Sequence, residues 1–367
     1  MSAERKLRVG VIGGGFGRNH LLAYRASGVE IAAFCQRSEA AAAKIAREFD
    51  IPKTFTDYRD LLALDGLDAV SIATPPYLHC PIALEAFTRE LHVLCEKPLA
   101  LNVQEAETML ARAEAAKRVH MTAFNFRFIP ALRRMKELLD EGFAGSRIFH
   151  VDAAWFAEGR MAPDTPLGWR HRKESAGFGV LGDTAVHLID LMRWLAGDFK
   201  RVVGQAAIFH KERKRPGGGD MGAVDVEDSC MFIGELEREV QASLHVSGVA
   251  RGNLYQGIRI FGSEGALAVT VGRKAADWVV GKLSGARGAN AEFAPLAIPE
   301  RLTQGLNLGD PARVGGEFLF AHLTRRFAEA IQNGAVPVPS FREGLEAQRV
   351  IHAVLRSIEE QKWVDVA

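Results

Sequence analysis

A chain of 367 residues, 48% hydrophobic and 25% charged, has the usage of a globular protein of two or three domains, which excludes wholesale disorder. Lys plus Arg total 46 against 45 Asp plus Glu, and a formal charge of +1 argues against a nucleic-acid partner. The four cysteines (Cys35, Cys80, Cys95, Cys230) show no CxxC spacing, no apolar run is long enough to span a bilayer, and no signal peptide precedes the first glycine cluster, so the expectation is a cytoplasmic protein with no metal site and no membrane partner.

Apolar runs at Leu7–Ile12, Val29–Cys35, Lys53–Thr56, Ala69–Thr74, His92–Glu96 and Val119–Phe124 alternate with helical patterns, among them Ser38–Phe49, His79–Glu90 and Asn102–Lys117. Asn102 with Glu105 three residues on is a capping-box variant, and Ala106, Met109, Leu110, Ala113 and Ala116 follow at helical spacing. Apolar strands separated by helices predict a parallel sheet covered on both faces, an α/β doubly wound domain over residues 1–124. Beyond it the pattern predicts a helix at Pro130–Asp140, a strand at Arg147–Phe156, a Pro/Gly-interrupted loop at Arg160–Gly179 and a helix at about Gly182–Ala196. Strand patterns follow at Val202–His210, Cys230–Leu236, Glu239–Val246, Tyr255–Gly262 and Ala266–Val271, with helices at Phe318–Ile331 and Arg342–Glu360. The basic stretch Lys211–Gly219 is expected to be a solvated loop. Strands with little helix between them make residues 125–367 an α+β domain with a large, mostly antiparallel sheet.

The first strand runs into Gly13-Gly14-Gly15-Phe16-Gly17 and then a helix. Such a turn lets backbone N–H groups approach a pyrophosphate at the positive end of the helix, which predicts a bound dinucleotide. The spacing is Gly-x-Gly-x-Gly, with Arg18 where a strict Gly-x-Gly-x-x-Gly has its last glycine. The second strand ends in Gln36-Arg37-Ser38 without the carboxylate that grips a free ribose, so the reading favours NADP over NAD, unless Arg37 is an ordinary surface residue. Thr74, Pro75 and His79 follow the fourth strand at the edge where open α/β sheets bind ligands; His79 either lines the cofactor or caps the helix it begins.

Glu96-Lys97-Pro98 ends the fifth strand at the same edge, where Lys97 is either a solvated charge or a functional one. Asp183, His187 and Asp190 share one face of the helix near 182–196, and Leu181, Ala185, Leu188, Met192 and Leu195 share the other. A metal half-site and a plain surface ion pair are the alternatives to a catalytic role.

The glycine loop, Ala73-Thr74-Pro75, Glu96-Lys97-Pro98, Asn125-Phe126-Arg127 and Gly182-Asp183-x-x-x-His187, in this order, resemble the glucose–fructose oxidoreductase/inositol dehydrogenase/rhizopine-catabolism (Gfo/Idh/MocA) oxidoreductase family. The resemblance spans nearly the whole chain. The glycine loop is one residue tighter than the usual family form, and Ala185 stands where glycine is frequent.

The resemblance implies a Rossmann domain followed by a substrate domain, and hydride transfer between NAD(P) and a hydroxyl-bearing carbon of a sugar, cyclitol or related polyol. It implies catalysis by Lys97, Asp183 and His187. It places Gly13, Gly15, Phe16, Gly17, Gln36, Arg37, Ser38, Thr74, Pro75, His79, Glu96, Lys97 and Asn125 around the cofactor. Arg127, Trp155, Trp169, Arg170 and His171 fall in segments near the substrate, Trp169 either stacking on a sugar ring or anchoring its loop. It further implies a homodimer or homotetramer formed through the C-terminal sheet. A cofactor-sensing regulator on the same fold and a glycosidase that uses NAD transiently are the competing functions.

Overall fold

The computed structural model describes residues 6–162, 164–252, 255–272, 275–310 and 313–367. Two compact units form, one from Met1–Asn125 with Gly309–Leu345, the other from Phe126–Leu308 with Glu346–Ala367. The sequence pattern groups 125–367 as one domain, whereas Gly309–Leu345 packs with the first unit. The reason is packing: Gly316 has no room for a side chain against Leu22 and Asn19, and Phe341 and Leu345 join the first unit's core.

In the first unit, β1 (Arg8–Ile12), β2 (Glu30–Cys35), β3 (Thr54–Phe55), β4 (Ala69–Ile72), β5 (His92–Cys95) and β6 (His120–Thr122) form a sheet in the order β3-β2-β1-β4-β5-β6. Every pairing is parallel. The order reverses between β1 and β4, where doubly wound sheets open a ligand crevice. Helices α1 (Gly17–Ala26), α2 (Glu39–Phe49), α3 (Tyr58–Leu62), α4 (His79–Thr88) and α5 (Val103–Ala115) make the connections. Helices on both faces explain why β4 is buried at every residue and why its sequence is continuously apolar save Ser71. Burial of Ile72, Ile82 and Leu94 contributes about 1.5–3 kcal/mol each. At the start of α5, Asn102 accepts the Glu105 N–H (2.8 Å), but the Glu105 carboxylate accepts from Leu101 and not from Asn102.

The second unit contains α6 (Pro130–Asp140), β7 (Ile148–Phe156), α7 (Lys173–Ala176), α8 (Val186–Ala196), β8 (Phe199–Ala207), β9 (Glu212–Lys214), β10 (Met221–Ala223), β11 (Ser229–Leu236), β12 (Gln241–Ser247), β13 (Gln256–Gly262), β14 (Gly265–Thr270), α9 (Ala275–Val280), β15 (Lys282–Arg287), β16 (Ala294–Pro295) and β17 (Val364–Asp365). Nine strands form one sheet in the order β16-β15-β14-β13-β7-β12-β11-β8-β17. Its pairs are antiparallel except β7 with β12, which run parallel. Alternation along β11 buries Cys230, Phe232 and Leu236 and exposes Met231 and Ile233. The expected solvated loop at Lys211–Gly219 is a hairpin of β9 and β10. Arg213 within it is buried, because its guanidinium donates to the carbonyls of Arg160 (2.6 Å), Ala162 (2.7 Å) and Thr165 (3.3 Å). Among the described residues, no helix is long and apolar enough to cross a membrane, and no group of three or more His, Cys, Asp or Glu is arranged to hold a metal.

Candidate active site

β1 ends at Ile12 and the chain turns at Gly13, whose φ is +116°. A Cβ there would lie 2.3 Å from the Ala73 carbonyl oxygen, so only glycine makes the turn. Gly15 has nothing within 4 Å of its Cβ position, which leaves its backbone open to a ligand. Gly17 opens α1 and brings the helix close to the sheet, its Cβ position lying 3.5–3.8 Å from Val11, Ala73 and Phe34. Phe16 is exposed beside it. The Arg18 guanidinium is engaged in two 2.5 Å contacts with the Glu48 carboxylate on α2. Gln36 lies against the loop, its amide oxygen filling the space a Gly14 side chain would need. Ser38 caps α2 by accepting the Ala41 N–H (3.3 Å), and Arg37 is exposed.

These features fit a dinucleotide. The loop offers open backbone at a helix N-terminus, and the Thr74 hydroxyl beyond β4 is buried without a hydrogen-bond partner among the described residues. Gly13–Gly17, Gln36–Ser38 and Thr74 are the residues that would hold it. His79 has another task. Its Nδ1 lies 3.0 Å from the Pro98 carbonyl oxygen and its Nε2 2.9 Å from that of Thr74, so the ring stands between the chain beyond β4 and the chain beyond β5 and, when neutral, donates its single N–H to one of the two carbonyls. Burial pushes the His79 pKa down. Pro75 precedes a short 3-10 turn, Pro76–Leu78.

Lys97 leaves β5 through a cis peptide to Pro98. Its backbone N–H donates to Glu96 Oε2 (3.1 Å), and Glu96 Oε1 lies 2.9 Å from Nε2 of the fully buried His20. The Nδ1 of His20 is 2.6 Å from the Ser71 hydroxyl. Glu96 is thus buried among protein groups. His20 went unread in the sequence, because its partner stands 76 residues away and no local pattern links them.

In the second unit, Asp183 sits in a π-helical turn, Leu181–Ala185, and His187 in the first turn of α8. Residue Glu227, invisible to sequence reading, receives three successive N–H groups at this helix start. Its Oε1 accepts from Gly179 (2.8 Å) and Leu181 (2.9 Å), and its carbonyl accepts from Val180 (3.1 Å). Burial raises the Glu227 pKa. Asp190 does not join an open polar face. It is buried and bonded to both Nε (2.8 Å) and Nη2 (2.7 Å) of Arg127, so this guanidinium, expected near substrate, is committed to a structural pair. Phe126 stacks on His187, with Trp155 beside both. Asn125 is buried, its backbone N–H donating to Ala123 (2.9 Å). Within the expected loop, Trp169–His171 form a 3-10 turn and Lys173–Ala176 a helical one. The Arg170 guanidinium lies 4.2 Å from the Trp169 ring centroid. His171 is buried and its Nδ1 accepts the Gly168 N–H (3.0 Å), which removes it from the open residues.

Fold and glycine loop together define a dinucleotide-binding protein with a second, sheet-based unit. Two families match in succession: the oxidoreductase family with NAD-binding Rossmann fold over residues 7–124, and the GFO/IDH/MocA C-terminal domain over 132–268. The chain is 31% identical to levoglucosan dehydrogenase of Pseudarthrobacter phenanthrenivorans, covering 99% of this chain and 98% of that protein. A solved structure of levoglucosan dehydrogenase in complex with NADH and levoglucosan superposes with a TM-score of 0.88 at 30% identity, covering 99% of this chain and 100% of the other. A shorter stretch, 117 residues, is 43% identical to D-xylose 1-dehydrogenase (NADP(+)) 2 of Haloferax volcanii, covering 32% of this chain and 36% of that protein. The chain belongs to the GFO/IDH/MocA family of NAD(P)-binding oxidoreductases.

Proposed function

We propose that this oxidoreductase is a dehydrogenase of a sugar, cyclitol or related polyol, with Lys97, Asp183 and His187 carrying the chemistry. When bound, the nicotinamide supplies the acceptor or donor of the hydride. His187 takes the proton of the reacting hydroxyl, a task suited to imidazole near neutral pH. Lys97 donates to the same oxygen as negative charge develops there. Asp183, four residues before His187, orients the imidazole or binds a neighbouring hydroxyl. The observation that carries the reading is full-length similarity to levoglucosan dehydrogenase in a chain that has all three residues.

NADP(H) is the proposed preference, since Gln36, Arg37 and Ser38 present no carboxylate to a 2′-phosphate and Arg37 is exposed. Arg37→Ala should lose most of that preference, because a charge-assisted phosphate contact is worth roughly 1.5–3 kcal/mol. Titration in which NAD(H) binds at least as tightly as NADP(H) would reject it. The function itself is tested by the absorbance of reduced nicotinamide with levoglucosan, D-xylose and myo-inositol. Stoichiometric reduction with any of them supports the dehydrogenase. Cofactor binding without turnover would favour a regulator, and bond cleavage without net reduction a glycosidase.

A further inference from the structure

We infer that Phe126 is a positioning residue for proton transfer, its ring fixing the plane in which the His187 imidazole works. The inference rests on the reading of His187 as the base. The two ring centroids are 4.3 Å apart and their planes are inclined by only 15°. Trp155 closes a triangle, 5.4 Å from Phe126 and 6.3 Å from His187. A ring covering one face of the imidazole resists its rotation about the Cβ–Cγ bond, since turning would drive the imidazole edge into the Phe126 face. The basic lone pair lies in the imidazole plane, so holding the plane aims the base.

The stack is itself held from the next residue. Arg127 makes a bidentate pair with Asp190, three residues after His187 on α8, and both partners are buried, at 7% and 1% side-chain exposure. Adjacent residues 126 and 127 therefore grip positions 187 and 190 of one helix. The Arg127 guanidinium also lies 5.5 Å from the Trp194 ring centroid on the same helix. A bidentate pair fixes direction as well as distance, which a lone ring contact does not. A phenylalanine that only filled volume would be replaceable by methionine without consequence for turnover.

The test is a double-mutant cycle with Phe126→Met and His187→Ala, assayed on whichever of levoglucosan, D-xylose and myo-inositol the parent oxidises fastest. Phe126→Met should lower kcat about 10–100-fold, the scale of an ångström's misplacement. Its affinity for NADPH and NADH should hold within about 2-fold, and Phe126→Tyr should restore kcat to within about 3-fold of the parent by returning the ring. In the His187→Ala background Phe126→Met should cost little more, because the group it positions is gone. An equal loss in both backgrounds, or a normal kcat for Phe126→Met, would overturn the positioning role. A normal kcat for His187→Ala would overturn the base assignment and the inference with it. A direct reading is independent of substrate. In ring-labelled histidine spectra of the wild type, the His187 ring protons should be shifted upfield by Phe126, and their absence from that region would refute the stack even if Phe126→Met failed to fold.

Discussion

Three histidines share one bonding pattern. His120 Nδ1 accepts the Phe341 N–H (3.1 Å), His92 Nδ1 that of Val119 (2.8 Å), and His171 Nδ1 that of Gly168 (3.0 Å). A proton on Nδ1 would abolish each bond, and burial first, with nearby arginines, pushes all three pKa values down to about 4. An unfolded chain takes up these protons near pH ~6.5, whereas the folded chain refuses them until about pH 4. Stability is therefore full above the unfolded value and falls as pH drops through that window. For the deeply buried His120 the loss is about 2 kcal/mol between pH ~7 and ~5, less for the half-buried His92. Urea midpoints should fall over that range, and His120→Gln should flatten the slope; a midpoint independent of pH would contradict this. Residues of this kind were not legible in the sequence. Lys97, Asp183 and His187 could be singled out because each stands in a short local pattern. The Arg127–Asp190 pair was not legible because its partners stand 63 residues apart, and Glu227 went unseen because the N–H groups it receives are more than 40 residues away.

At the scale of elements, the start of the helix bearing His187 depends on Glu227. Replacing that carboxylate by alanine strands the buried N–H groups of Gly179 and Leu181, at a cost of about 1–3 kcal/mol. Glu227→Gln keeps an oxygen acceptor and should retain most of the stability. Equal urea midpoints for Glu227→Ala and the parent would show that the helix start does not need the cap. The six parallel strands were legible because strands buried on both faces carry unbroken apolar runs, and the helices between them announce themselves by period. The β9–β10 hairpin was not, because a run of Lys and Arg before three glycines has the composition of a solvated loop. Only the carbonyls of Arg160, Ala162 and Thr165, brought in from a distant segment, make burial of Arg213 favourable. The parallel pairing of β7 with β12 likewise follows from connections that strand composition does not encode.

At the scale of the molecule, the outer face of the nine-stranded sheet presents Met231 and Ile233, 46% and 51% exposed, near the ion pairs Arg259–Asp152 and Arg201–Glu235. An apolar strip with charged neighbours on an open sheet face supports the proposed homodimer or homotetramer. Ile233→Asp should shift light scattering toward the monomer, and a wild type already monomeric at micromolar concentration would count against assembly through this face. The central proposal is a division of labour between the units, with the glycine loop of the first holding the dinucleotide and His187 of the second serving as the base. It is tested most directly by measuring kcat and affinity for NADPH and NADH together in His187→Ala. kcat should fall about 10²–10⁴-fold, the usual range for a lost general base, with affinity for NADPH and NADH unchanged. Near-parental kcat on a substrate the parent oxidises would contradict it.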